Sequence, residues 1–253
     1  MRPSTFLQVL RHVRNWREVF SLKYGSSGRR LSLLSTRYGV EFVLRRACRD
    51  WDIFREIFLK QAYARSLSYL AGLPADSVVL DLGANIGCFS LRAALLNPKL
   101  RLHSYEPGPP NVRIFQLNLL ANPRLAERIE LHQEAVSGVT TQAKWGFDED
   151  NAGGSSLYGQ RTGTSHPVTV RALSEIVRGI STEIALAKID IEGAEYDVLR
   201  HTPSAVWSRI AALTIEFHDD PADQITRDQA RQQLQELGYT LESDDAWTVF
   251  CRR

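Results

Sequence analysis

The chain of 253 residues predicts an α/β fold: a doubly wound, mostly parallel seven-stranded sheet with a C-terminal antiparallel hairpin, plus a small N-terminal α/β extension. Three observations carry this reading. From residue 78 onward, apolar strand-like runs alternate with helix-like segments, the pattern of successive crossover units on a parallel sheet. The chain closes on two strand-like runs, Tyr239–Glu242 and Ala246–Arg252, separated only by Ser243-Asp244-Asp245; so short a connection makes the pair antiparallel. Residues 78–87, Val-Val-Leu-Asp-Leu-Gly-Ala-Asn-Ile-Gly, form an apolar run ending at Asp81, then a glycine turn, then a helix-like stretch from Cys88 to Leu96. That is a buried parallel strand feeding a ligand-binding turn.

The elements follow in order. Apolar Phe6, Leu7, Val9, Leu10, Val13, Trp16, Val19 and Phe20, with arginines between them, predict one amphipathic helix over 5–23. A polar break at 24–30 leads to two β-like runs, 31–36 and 38–46, with Gly39 between them: a hairpin. Helical spacing returns over 52–70, and Pro74 marks entry to the main domain. Strands are expected at 78–83, 100–106, 128–136, 168–171, 184–191 and 210–218, and helices at 87–96, 110–121, 172–179, 194–201 and 222–237, the last stopped by Gly238. This divides the chain into an extension, 1–75, and a ligand-binding domain, 76–253.

Composition narrows the class. Hydrophobic content of 43% and charged content of 24% are those of an ordinary globular protein. Net charge is +2, but residues 1–75 carry 14 Lys/Arg against 5 Asp/Glu. That basic surface suits an anionic partner, substrate or membrane face, or is a solvated helical surface; it is also the surface expected for any homo-oligomer contact. Three scattered cysteines, Cys48, Cys88 and Cys251, form neither a disulfide framework nor a metal spacing and point to a reducing compartment. No apolar stretch is long enough to span a bilayer, and Arg11, Arg14 and Arg17 interrupt any signal-peptide core, so a cytoplasmic location is expected.

The turn speaks about the ligand. Glu106 ends the strand after the glycine turn, the position from which an acid holds ribose hydroxyls. A dinucleotide site wants G-x-G-x-x-G, so that the backbone can approach a pyrophosphate; here Asn85 occupies the place of a second close-packed glycine. An adenosyl ligand without phosphate, S-adenosylmethionine, fits better. Asp81 would meet its ammonium, backbone N–H groups near Gly83 and Gly87 its carboxylate, and Glu106 both ribose hydroxyls. Taken singly, Asp81 reads equally well as a helix-side cap and Glu106 as a solvated strand end. The terminal hairpin also belongs to the class I methyltransferase variant of the Rossmann layout rather than to the nicotinamide one.

Asp-Leu-Gly-Ala-Asn-Ile-Gly at 81–87, Tyr-Glu-Pro at 105–107, Ala-Val-Ser-Gly at 135–138, Asn-Ala-Gly-Gly-Ser-Ser at 151–156 and above all Lys-Ile-Asp-Ile-Glu-Gly-Ala-Glu at 188–195 resemble the FkbM family of S-adenosylmethionine-dependent methyltransferases. The resemblance runs from about residue 40 to about 220. It places the methionine-end pocket on Asp81, Gly83, Asn85 and Gly87 and the ribose contact on Glu106, with Ala84, Pro107 and Asp190 completing the expected cofactor contacts. The chain departs from the family at Gly138, where an acid is frequent, and at Leu173-Ser174-Glu175, where the family usually has Leu-Asp-Asp.

The resemblance implies methyl transfer to a hydroxyl oxygen of a sugar, glycan or natural-product scaffold. Such a reaction needs in-line positioning and removal of the hydroxyl proton. Candidate groups sit at the carboxyl ends of the fourth and fifth strands: Lys188, Asp190 and Glu192, alternating with Ile189 and Ile191, then Glu216 and His218 flanking Phe217. His218 or Asp190 is the expected general base and Glu192 or Glu216 the orienting group. Lys188 and Asp190 read alternatively as an internal ion pair fixing the turn. No metal is assigned, although Asp190, Glu192 and Glu216 would suit Mg²⁺. Residues 147–164, with Tyr158 and Arg161, read as a lid over the acceptor or as a surface loop, and Trp145 beside them as a further acceptor contact. Two other readings stand beside this one: an RNA methyltransferase, encouraged only by the basic extension and supported by no RNA-binding module, and a non-catalytic module that uses the same fold.

Overall fold

The computed structural model describes residues 3–24, 30–46, 48–146, 165–219, 222, 224–243 and 247–253. Its elements are α1 (Pro3–His12), α2 (Trp16–Tyr24), β1 (Leu31–Ser35), β2 (Glu41–Arg45), α3 (Asp50–Phe54) continuing into a π-helical turn (Arg55–Leu59), α4 (Ala64–Ala71), β3 (Val78–Leu82), α5 (Cys88–Leu96), β4 (Arg101–Tyr105), α6 (Pro109–Ala121) and α7 (Pro123–Ala126). They continue with β5 (Ile129–His132), β6 (Ala135–Ser137), β7 (Thr141–Gly146), β8 (Ser165–Ala172), α8 (Leu173–Gly179), β9 (Ile184–Ile189), α9 (Glu195–His201), α10 (Ser204–Trp207), β10 (Ala212–Glu216), α11 (Arg227–Glu236), β11 (Thr240–Ser243) and β12 (Thr248–Arg252). The lid-like segment 147–164, with Tyr158 and Arg161, and the hairpin loop residues Asp244 and Asp245 lie outside the described residues.

The main sheet has seven strands in the order β11-β12-β10-β9-β3-β4-β5. Strands β10, β9, β3, β4 and β5 are parallel, and the terminal hairpin enters antiparallel, with β12 against β10. The central strand β3 is buried along its whole length, which explains its unbroken apolar run. Its carboxyl end lies between β4 and β9, so the glycine turn, Glu106 and Asp190 leave the sheet side by side. The mostly parallel sheet with its antiparallel terminal hairpin is as the sequence predicts.

Several elements differ from expectation. The helical run expected over 52–70 is α3, its π-helical turn and α4, interrupted where Gln61 and Tyr63 turn left-handed. The strand anticipated over 128–136 is two: β5 edges the main sheet, whereas β6 joins β8 and β7 in a separate three-stranded sheet. The polar pair Gln133-Glu134 breaks the run, and Glu134 is held by Arg171 of β8, Nε to Oε2 at 2.6 Å. The single helix anticipated over 5–23 breaks at Val13, whose backbone bridges to Thr36 of the hairpin, so the helix yields to a sheet contact. The last helix begins at Arg227 rather than 222, because the side chain and backbone of Thr226 form a capping box with Gln229.

Residues of the N-terminal 75 positions share a core with the main sheet and its helices. Val9, Val13, Val19, Leu34, Phe42, Phe54 and Phe58 share one buried cluster with Ile86, Phe89, Ile114 and Phe115. The free edge of β2 is satisfied by Asn118 of α6 and by Asn122, which follows that helix: Asn118 Oδ1 accepts from Val43 N at 2.6 Å, and Asn122 exchanges hydrogen bonds with the backbone of Glu41. An edge strand that would otherwise present unpaired backbone groups is thereby closed.

Candidate active site

A pocket of about 340 Å³ opens at the carboxyl ends of β3, β4, β9 and β10. Its lining includes Gly83, Ala84, Asn85, Glu106, Pro107, Lys188, Asp190, Glu192, Glu216 and His218, all expected from the sequence. Asp81 and Gly87 stand behind that wall. The extension supplies a further wall through Arg49, Ile53, Glu56, Ile57 and Tyr63, which the sequence did not suggest.

The turn is built around backbone contact. Gly83 has φ +80°, and a Cβ there would lie 1.7 Å from the Asp190 carbonyl oxygen. Gly87 caps α5 with φ +84°, and its missing Cβ leaves room for the Phe115 ring. Asn85, between them, is also left-handed, at φ +50°, a conformation asparagine tolerates better than most residues. The buried Asp81 accepts from Ser90 Oγ at 2.5 Å and faces Lys188 Nζ at 3.2 Å. Lys188 Nζ also donates to Gly83 O at 3.0 Å and lies 3.2 Å from Asp190. Burial opposes its charge, but Asp81 and Asp190 outweigh burial and hold the ammonium above its ordinary pKa. Lys188 is therefore the pin that joins the ends of β3 and β9.

Glu106 is buried and accepts three protein hydrogen bonds: Asn85 N at 2.9 Å, Gly108 N at 2.8 Å and Asn111 Nδ2 at 3.2 Å. Burial raises its pKa to about 7 against the pull of those donors. A carboxylate offers about four lone-pair sites, so about one remains for a ligand hydroxyl. Asn111 is in turn held by Arg45 of the hairpin at 2.7 Å, and Arg45 is paired with Asp50. The N-terminal hairpin thus braces Glu106.

The sequence places Lys188, Asp190 and Glu192 in one alternating row on a strand. The strand ends at Ile189, so only Lys188 is a strand residue; Asp190 follows the sheet, and Glu192 has φ +54° in a turn. The close approach of the Gly83 turn to the Asp190 carbonyl ends the ladder, a contact with no local sequence signal. His218 likewise lies beyond β10, which ends at Glu216.

These groups still converge. His218 Nδ1 lies 3.0 Å from Oε1 of the buried Glu195, while its Nε2 faces Glu192 at 3.8 Å and Asp190 at 4.0 Å. Glu195 is fixed by accepting from Ile191 N and Gly193 N, and Tyr196 Oη donates to the His218 carbonyl at 2.8 Å. Burial works against a charged imidazole, yet the Glu195 hydrogen bond, helped by Asp190 and Glu192, carries His218 up to about 10. Glu192 is raised to about 7 by burial and by Asp190. Burial and Asp190 also raise Glu216 to about 7, although the hydroxyl of Tyr63, 2.5 Å away, pulls the other way. The same hydroxyl lies 3.1 Å from Asp190. Donor atoms of Asp190, Glu216 and His218 all lie within 4.8 Å of one another, so these three could hold a cation; His218 replaces Glu192 in the set expected from the sequence.

Besides Arg49, Ile53, Glu56 and Ile57, sequence reasoning missed Tyr63 and Glu195, which bond directly to the ionisable groups of the pocket. Glu195 stood in the quoted 188–195 motif, at the first turn of a helix, where an acid caps backbone N–H groups. Tyr63 gave no signal; it lies 127 and 153 residues from its two partners.

Gly138, where the resemblance leads one to expect an acid, packs against α9. A Cβ there would lie 2.3 Å from the Asp197 carbonyl, and the Gly138 N–H donates to the Asp197 carboxylate at 2.9 Å. The acid in this neighbourhood is thus supplied from α9.

Comparison with known proteins agrees with this geometry. The family model described as the Methyltransferase FkbM domain matches residues 81–241. The 31-O-demethyl-FK506 methyltransferase FkbM of Streptomyces tacrolimicus is 33% identical over 199 residues, covering 66% of this chain and 74% of that protein. Methyltransferase 1 of Beauveria bassiana is 26% identical over 210 residues, covering 75% and 80% respectively. Among solved structures, a SAM-dependent methyltransferase from Agrobacterium tumefaciens superposes with a TM-score of 0.52 at 12% identity, over 90% of this chain and 71% of that one, a likeness of fold. With a family model matching 81–241, more than half of its length, the chain belongs to the FkbM methyltransferase family.

Proposed function

We propose that the chain transfers a methyl group from S-adenosylmethionine to a hydroxyl oxygen of a small-molecule, sugar or natural-product acceptor. The residues present suit that donor. Asn85 Oδ1 is a buried acceptor without a hydrogen-bond donor in the pocket lining and suits the ammonium of that donor, whereas Asp81 is already paired with Lys188 behind the turn. Gly83 lets the turn pack against the Asp190 carbonyl, and Glu106 keeps an acceptor position for a ribose hydroxyl. S-adenosylmethionine supplies an electrophilic methyl on a sulfonium.

The observation that carries the reading is the set of four ionisable groups, Asp190, Glu192, Glu216 and His218, gathered beside the glycine turn. With a pKa near 10, His218 is a cation at neutral pH and serves to orient and neutralise, held by Glu195. The proton of the acceptor hydroxyl goes to a carboxylate with a pKa near 7, matched to neutral operation. Glu216 fills that role, positioned by Tyr63. Lys188 positions the two aspartates. Arg49, Ile53, Glu56 and Ile57 form the acceptor side of the pocket and set its selectivity.

No helix among the described residues is long and apolar enough to cross a membrane. The free Cys48, Cys88 and Cys251 support a cytoplasmic setting. Glu216→Gln tests the assignment: with labelled methyl donor and a panel of hydroxylated acceptors, transfer falls by at least about a hundredfold while donor binding persists. Unchanged turnover in Glu216→Gln would remove Glu216 from the mechanism.

A further inference from the structure

A second group of ligating side chains lies outside this pocket, at the edge of the main sheet. His103 and Tyr105 alternate along β4, and Glu130 and His132 alternate along the edge strand β5. The parallel register sets His103 beside Glu130 and Tyr105 beside His132, so all four side chains share one face. His103 Nδ1 lies 3.3 Å from Glu130 Oε2, His132 Nε2 lies 3.6 Å from Glu130 Oε1, and the two imidazole nitrogens are 3.4 Å apart. Two metal–ligand bonds of about 2.0–2.2 Å at a tetrahedral angle place their donor atoms about 3.3–3.6 Å apart. The two nitrogens match that figure, and each ring turns its nitrogen toward an oxygen of the same carboxylate, His103 toward Oε2 and His132 toward Oε1.

We propose that His103, Glu130 and His132 form a divalent cation site of the zinc class. Two imidazoles and a carboxylate are a ligand set for zinc and its neighbours rather than for magnesium or calcium, which take all-oxygen shells. The histidine side chains are 26% and 24% exposed and the glutamate 64%, so the fourth position faces solvent. The site ties β5 to β4. It also reaches the pocket: the His132 ring stacks on Tyr105 at 4.4 Å, and Tyr105 lines the pocket beside Glu106. Cation binding therefore fixes one wall of the donor site without entering it.

The test is calorimetric titration of the metal-stripped full chain with Zn²⁺, with Co²⁺ absorption as a second readout. The expected result is one Zn²⁺ bound per chain and a Co²⁺ spectrum of tetrahedral intensity. His103→Ala and His132→Ala each weaken binding at least about tenfold and remove the spectrum, while His218→Ala, which disrupts the other donor group, leaves both intact. If a histidine variant fails to fold, Glu130→Gln at an exposed position provides the same comparison. Absence of saturable binding, or binding that survives the β4 and β5 substitutions and disappears in His218→Ala, overturns the proposal.

Discussion

Replacing Tyr63 by Phe deletes one hydroxyl and leaves the ring against Phe89 and Lys188. That hydroxyl lies 2.5 Å from Glu216 and 3.1 Å from Asp190, and its hydrogen bond lowers the Glu216 pKa. A hydrogen bond to a charged group contributes about 1.5–3 kcal/mol. At 1.36 kcal/mol per pKa unit, its loss lifts Glu216 by about one to two units from its value near 7. A general base acts when ionised, so kcat/KM rises with pH through this pKa, and the acidic limb of the profile moves up by the same amount. Transfer near pH 7 then falls about tenfold while the high-pH plateau is preserved. The assay is a pH profile of labelled-methyl transfer from about pH 5.5 to 9.5 for both proteins. A Tyr63→Phe profile whose acidic limb coincides with that of the parent protein would refute the reasoning.

Other outcomes follow from the same geometry. Gly83→Ala places a Cβ 1.7 Å from the Asp190 carbonyl at a positive φ, so donor binding by calorimetry is abolished and the melting temperature falls. Lys188→Met leaves the buried Asp81 without its counter-ion and costs about 3–5 kcal/mol in denaturant unfolding, whereas the Asp81→Asn/Lys188→Met pair recovers part of that loss. Glu106, Glu192 and Glu216 have pKa values near 7, above the 4.5 of an unfolded glutamate, so each contributes stability that is full below about pH 4.5 and lost as pH rises through about 7. His218, raised from 6.5 to about 10, contributes stability that is full below about pH 6.5 and lost as pH rises through about 10. Thermal scans of the ligand-free chain therefore show Tm declining from about pH 5.5 to about pH 9, and a Tm that rises across that range contradicts these assignments.

The glycine turn and its strand were legible because Val78–Leu82 is buried on both faces and has no polar residue except the one that serves the site, Asp81. The terminal hairpin was legible from a short loop between two apolar runs. What escaped was set by contacts between distant residues. The left-handed turn at Glu192 follows from the approach of Gly83 to Asp190, more than a hundred residues away in sequence. The helix break at Val13 follows from its bridge to Thr36, and the fate of 135–137 from pairing with β8. The same cause hid Tyr63. His218 was recognised as a site residue, but its protonation state was not readable, because the buried Glu195 that fixes it acts through packing rather than spacing.

The central claim, a donor pocket built by the glycine turn and Glu106, is tested most directly by titrating the full chain with S-adenosylhomocysteine in a calorimeter. The account predicts one saturable site per chain, weakened at least about tenfold in Glu106→Gln through loss of a charged hydrogen bond to the ribose. Absence of saturable binding, or affinity undiminished in Glu106→Gln, would contradict it.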